Sequence, residues 1–175
     1  MAILEILTYP DPRLLQISKP VSEFGPELKK LCEDMLETMY AAPGVGLAAP
    51  QVNVHKNLVV IDIEYESSED EPPVLSNKNP LILVNPKIVW KEGEQVCKEG
   101  CLSVPGEYEE VVRAEKVRVE YQDVDGNPKV LEAEGYLAVA VQHELDHLDG
   151  RLFIDRLSLM KSKSIKKRLK REALK

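Results

Sequence analysis

The stretch that decides the fold is Gly135-Tyr136-Leu137-Ala138-Val139-Ala140-Val141-Gln142-His143-Glu144-Leu145-Asp146-His147-Leu148-Asp149-Gly150. From Tyr136 to Leu148 it is apolar enough to be buried, and Leu137, Val141, Leu145 and Leu148 share one helical face. It reads as a single helix that Gly150 stops. Within it, His143 and His147 stand four residues apart. Side chains at that spacing lie about 5–6 Å apart at Cβ on one face, so both imidazoles can reach one metal ion. Glu144 sits beside them, placed to act on a water at such a metal. A solvated helix that fits a loose pattern is the competing reading. Against it, burying two histidines and two carboxylates next to Ala138–Val141 is costly unless they are paired or ligate something. The chain has three histidines, and two are here.

Outward from this helix, the chain alternates short strands and helices. Pro26 suits a first helical position. Leu28, Leu31, Met35 and Met39 keep the helical period, and Pro43-Gly44 ends that helix near Ala42. Gly44–Gln51 (GVGLAAPQ) reads as a small-residue loop where backbone approaches something closely. Leu58–Ile63 is a β-branched strand. Leu81–Val84 and Lys87–Trp90 read as two strands broken by Asn85-Pro86. Lys116–Tyr121 and Lys129–Ala133 form a hairpin through Asp125-Gly126. The acidic, proline-containing residues 64–80 read as a mobile surface loop. A final helix begins at about Leu157. The fold class implied is α+β, with short antiparallel or mixed sheets around a central metal-binding helix, plus an N-terminal and a C-terminal helix.

At 175 residues, with 43% hydrophobic and 30% charged side chains, the chain has enough apolar material for one core and is not a disordered chain. No stretch approaches the roughly 20 apolar residues of a membrane helix. The start, MAILEILTYPDP, lacks the pattern of a secretory or organellar signal, so a cytoplasmic location is expected. Cys32, Cys97 and Cys101 make an odd count, which favours a metal-bound or catalytic thiol over a disulfide framework. The net charge of −7 is unevenly spread: residues 156–175 hold nine Lys or Arg against Glu172 alone. A cationic tail, 161–175, belongs to the same domain as an acidic body, 1–160.

A catalytic metal needs a third protein ligand and an open position. In one protease class the third ligand lies six residues after the second histidine, but here that position is Phe153. Upstream, Glu99-Gly100-Cys101-Leu102-Ser103 presents a cysteine in a polar segment, a poor setting for a merely buried thiol.

Three motifs in order, Gly44–Gln51 (GVGLAAPQ), Glu99–Ser103 (EGCLS) and Gln142–His147 (QHELDH), resemble those of the bacterial, iron-dependent peptide deformylases. Asp11-Pro12-Arg13-Leu14, Asn85-Pro86 and Arg113-Ala114-Glu115-Lys116-Val117 extend the resemblance from about residue 3 to about 160. It implies a metal-dependent hydrolase that removes formate from the N-formylmethionine end of newly made proteins. It further implies that Cys101, His143 and His147 bind one divalent metal. Iron(II) is expected, and zinc, nickel or cobalt can substitute; ligand types alone point to zinc. Glu144 is then the acid/base, and Gln51 and the Leu102 backbone N–H are donors to the formyl oxygen.

The resemblance places Val45, Gly46, Tyr136, Val139, Ala140 and His143 around the methionine side chain. Core packing is the plainer reading of Val139 and Ala140. Tyr136 stands where an aliphatic residue is expected, and Tyr108 where some relatives carry Arg. The backbone of Gly46 and of residues near Cys97 would pair with the peptide as an added strand. Glu99 and Arg113 would brace the cysteine loop, with a surface ion pair as the alternative. Asp146 would orient a ligand histidine or merely face solvent. The expected partners are N-formylmethionyl nascent chains and, through the basic C-terminal helix, the ribosome. No membrane and no sequence-specific nucleic acid are expected. Two rival readings stand beside this one. One is a zinc endopeptidase using the same helix signature; the other is a non-catalytic ribosome-binding protein with a structural metal.

Overall fold

The computed structural model describes residues 2–63 and 79–174. Among them are three α-helices, α1 (Pro26–Ala41), α2 (Gly135–Leu148) and α3 (Leu159–Ala173). There are seven strands: β1 (Gly46–Ala48), β2 (Leu58–Ile61), β3 (Leu81–Glu92), β4 (Gln95–Cys101), β5 (Val104–Arg113), β6 (Lys116–Gln122) and β7 (Pro128–Glu134). Five of them form a sheet in the order β1-β2-β3-β6-β7, and β4 pairs only with β5. Every strand pair is antiparallel. The α+β class and the three expected helices are present.

Strand β2 shows how the layers stack. Alternate residues of a strand point to opposite faces. Leu58 and Val60 join the cluster under α1, with Cys32, Met35, Met39 and Leu47. Val59 and Ile61 join a second cluster under α2, with Leu83, Val119, Ala138 and Val141. The sheet is therefore covered on both faces, and α2 is buried along most of its length. A third cluster ties β5 to α3 through Val104, Val111, Phe153, Ile154, Ile165 and Leu169. No helix among the described residues is long and apolar enough to cross a membrane.

Four expectations need correction. Leu81–Trp90 is one strand rather than two: Pro86 cannot donate to the ladder, so the register slips between Val84 and Lys87 instead of breaking. Asn85 takes a positive φ there, and its side chain bonds both backbone groups of Val21 and donates to the Gln122 side-chain oxygen Oε1. The stretch 44–51 is not only loop, since β1 and a 3-10 turn, Ala49–Val52, occupy most of it. The β4–β5 hairpin carries the cysteine, although its charged, half-exposed sequence gave no strand signal. Finally, α3 starts at Leu159 because the Ser158 side chain accepts from the Lys161 N–H and caps it. The expected loop 64–80 lies, apart from 79 and 80, outside the described residues.

Gly150 does end α2. Its φ of 73° is left-handed, and a Cβ there would lie 2.4 Å from the Leu15 carbonyl oxygen, so only glycine lets the N-terminal segment pass.

Candidate metal centre and its cleft

Cys101 ends β4, and His143 and His147 project from successive turns of α2 toward it. Their ligating atoms all lie within 4.8 Å of one another, with Cys101 Sγ 3.4 Å from His147 Nε2. Tetrahedral coordination by one sulfur and two nitrogens sets donor atoms about 3.3–3.6 Å apart, so the cluster fits a divalent metal with little adjustment. A thiolate with two imidazoles suits a transition metal. The sulfur also receives the Ser103 N–H at 3.4 Å and the Gln51 amide nitrogen at 3.6 Å.

The two imidazoles differ in protonation. His143 Nδ1 donates to Glu99 Oε1 at 2.8 Å, which turns Nε2 toward the cysteine. Burial pulls its pKa down, but Cys101 and Glu99 prevail and hold it well above the usual imidazole range. His147 is pushed down to about 3, chiefly by burial and then by the charge on His143. His143 is therefore the more basic imidazole of the two, and a proton on its metal-facing nitrogen must leave when a metal binds. The Phe153 ring stacks on His143 with centroids 6.0 Å apart, so the residue in the place of a protease-type ligand packs against a ligand instead.

Glu144 is buried, with Oε1 3.8 Å from His143 Nε2 and with Oε2 making no hydrogen bond. Burial pushes its carboxyl up to about 7; Glu99 adds to this and His143 opposes it. It lies in a cleft of about 340 Å³ whose walls include Val45, Gly46, Gln51, Tyr136, Val139 and Ala140. Val139 and Ala140 are buried yet face this cleft, and Tyr136, half-exposed, stands at its mouth. Tyr108 also lines the cleft and lies across Gly100, where a Cβ on that glycine would meet its ring at 2.5 Å. Leu102 lines the cleft and packs on Gly44.

Behind the ligands runs a chain of charges. Arg113 donates from Nε and Nη2 to the two oxygens of Glu99, both at 2.8 Å, and from Nη1 to Asp146 at 2.7 Å. Against the upward push of burial, Arg113 and His143 hold the Glu99 carboxyl below its ordinary value. Arg156 and Arg113 do the same for Asp146. Both side chains of the Glu99–Arg113 pair are 4% exposed, so it is no surface ion pair, and Asp146 does not face solvent.

The residues singled out in the sequence lie around this cleft or directly behind it, and near Cys97 only backbone was expected to contribute. The side chain of Cys97 is not part of the cleft wall, which β4 supplies from Lys98 onward. Three further residues belong to the site. Ser103 accepts from Gln51 Nε2 at 3.0 Å. Gln142 clamps Ala114 through its N–H and carbonyl. Arg156 reaches Asp146. Ser103 and Gln142 lie inside two of the quoted motifs and were within reach of the sequence. Arg156 carried no signal, because it reads as the first charge of the basic tail.

Comparison with known proteins agrees with this geometry. Residues 3–163 match the model of the family described as Polypeptide deformylase. The chain is 52% identical over 171 residues to the peptide deformylase of Chromobacterium violaceum, covering 98% of this chain and 96% of that protein. It is 49% identical over 171 residues to that of Alkalilimnicola ehrlichii, covering 98% and 91%. Among solved structures, peptide deformylase from Thermus thermophilus superposes with a TM-score of 0.86 at 43% identity, covering 98% of this chain and 96% of that one. The Ehrlichia chaffeensis enzyme in complex with actinonin gives 0.86 at 39% identity, covering 98% of each chain. Motifs, fold and full-length similarity agree, and the chain belongs to the polypeptide deformylase family.

Proposed function

We propose that this protein hydrolyses the formyl amide at the N-terminal N-formylmethionine of newly made chains and releases formate. The observation that carries this reading is Glu144. A buried carboxylate with an oxygen free of hydrogen bonds lies in an open cleft, beside one sulfur and two nitrogen donors clustered together. A structural site would be closed by four protein ligands and would have no use for such a group.

Cys101, His143 and His147 would hold a divalent metal, iron(II) with zinc, nickel or cobalt as substitutes, which would supply Lewis acidity when bound. Glu144 takes a proton from the attacking water as its oxygen bonds to the formyl carbon, and returns it to the amine nitrogen as the C–N bond breaks, work suited to a carboxyl with a pKa of about 7. Gln51 and the Leu102 N–H donate to the formyl oxygen as it gains charge. Gln51 is already oriented, because its Oε1 accepts from the Ala48 N–H at 2.9 Å. The methionine side chain rests among Val45, Gly46, Tyr136, Val139 and Ala140. The peptide backbone extends between β1 and β4, each of which pairs along one edge only among the described residues, as an added strand.

The reading places the protein in the cytoplasm, on chains leaving the ribosome. Helix α3 supports docking there. Lys161, Lys166 and Arg168 pair with Glu109, Asp155 and Glu107, whereas the exposed Lys163, Lys167, Lys170 and Arg171 recur at helical spacing along one stripe. Because Ile165 and Leu169 of α3 are core residues, the docking test neutralises those four cations to Gln rather than deleting the helix. Unchanged cosedimentation with ribosomes in low and moderate salt would remove the docking role.

The test of the activity is formate release from an N-formyl-Met-Ala-Ser peptide by iron-loaded protein prepared without oxygen, with Glu144→Ala as control. Release that vanishes in the variant is expected. Metal-bound, folded protein that releases no formate would overturn the reading, and cleavage of internal peptide bonds would point to an endopeptidase.

A further inference from the structure

We propose that Arg156 is a positioning residue for the metal centre, acting through Asp146, Arg113 and Glu99 on His143. Its Nε donates to Asp146 Oδ2 at 3.0 Å and its Nη2 to Oδ1 at 2.6 Å. This two-pronged contact fixes the plane of the carboxylate as well as its place. Oδ2 of the same carboxylate receives Arg113 Nη1 at 2.7 Å, and Arg113 grips both oxygens of Glu99, which holds His143 Nδ1 at 2.8 Å. Charges alternate along the chain, and each member fixes the next.

Two observations separate this from an incidental ion pair. First, a cavity of about 680 Å³ opens on the side of α2 away from the substrate cleft, and its walls include Arg113, Gln142, Asp146 and Arg156. Exposure rises along the chain toward that cavity, from 4% at the Glu99 and Arg113 side chains to 11% at Asp146 and 38% at Arg156. Arg156 is the outermost group, covering Asp146 where water would otherwise compete for Arg113. Second, Arg156 and Phe153 belong to one 3-10 turn, Phe153–Arg156. Residues three apart in such a turn project to the same side. The turn thus meets His143 twice, directly through the Phe153 ring and indirectly through Arg156. The contact adds to stability as a bidentate pair on a buried carboxylate, and its place in the network makes it orient Arg113 and Glu99 as well. Arg156 therefore belongs with the metal site rather than with the free charge of the tail.

The inference rests on the metal reading of Cys101, His143 and His147, and its test separates the two. Wild-type, Arg156→Ala and Arg156→Lys proteins are loaded with cobalt(II). The readouts are the visible spectrum, the rate of metal release to a chelator, kcat and KM on the formyl peptide, and the melting temperature of the metal-free protein. Groups that orient metal ligands change affinity or activity about 10- to 100-fold when lost. The alanine variant is expected at the low end, with release about tenfold faster, an altered spectrum and a lower kcat at nearly unchanged KM. Its metal-free melting temperature falls only modestly, since Asp146 keeps Arg113, and lysine, with one contact in place of two, recovers part of the loss in release rate and kcat. Wild-type release and spectrum in the alanine variant would overturn the proposal. So would a lower metal-free melting temperature with unchanged release, the mark of a purely structural role. Wild-type protein that binds no cobalt would instead overturn the metal reading itself.

Discussion

Gly46 and Glu144 touch across the cleft: a Cβ on residue 46 would lie 2.7 Å from Glu144 Oε1 and 2.8 Å from its Cγ. The short strand that holds Gly46 is fully buried, so the carboxylate end of Glu144 must give way to any side chain placed there. Displacing a reacting group by about 1 Å costs about 10²-fold in rate. Gly46→Ala should therefore fold normally and lose about that factor in kcat. Steady-state kinetics with circular dichroism decide, and wild-type turnover would show that Glu144 has room to spare.

Glu144→Gln should abolish formate release and yet stabilise the metal-free protein. A carboxyl raised from 4.5 to about 7 makes the folded state bind more protons than the unfolded state between those values. Stability from this group therefore falls as pH rises from 4.5 to 7. The neutral amide escapes that cost, so the gain at pH 8 approaches about 3 kcal/mol as an upper bound and shrinks toward about pH 4.5. Urea unfolding at the two pH values measures it; equal gains at both would contradict the titration of Glu144.

Metal affinity should rise with pH through the neutral range. His143 carries a proton in the metal-free protein because Cys101 and Glu99 outweigh its burial, and a ligand nitrogen must be free of its proton. Zinc titrations at about pH 6 and 8 in buffers of different ionisation heat should show proton release on binding. Affinity that does not change with pH would mean that the pair is already neutral.

Gln51→Leu should retain metal but lose about 10²–10³ in kcat, the usual effect of removing one oxyanion donor. The variant also frees the Ala48 N–H and the Ser103 hydroxyl, so the melting temperature should fall too. Metal content and kcat measured together separate the effects. Near-normal kcat at full metal content would assign the donor role elsewhere.

Much of this was legible in the sequence for physical reasons. Helix α2 announced itself because a helix buried on nearly all sides must be apolar on all sides, so His143, Glu144 and His147 stood out as costly exceptions. The ends of α1 were legible in Pro26 and in Pro43-Gly44. The β4–β5 hairpin was not. It covers the site with one face and meets water with the other, so exposed residues such as Glu110 interrupted any core signal. Arg156 was hidden for another reason. Its partner Asp146 lies ten residues back, across the turn at Gly150, and no local pattern distinguishes it from the cations that follow.

Among the described residues, β1 and β4 each pair along one edge only, and the cleft with Glu144 lies between the residues they supply. An opening of that kind admits one extended backbone. A terminus already wound into a helix or tucked into a finished domain is too thick to enter and has its own amides engaged. The architecture therefore sets a deadline for each client: its first residues must be presented while they are still uncommitted, and a terminus buried early keeps its formyl cap.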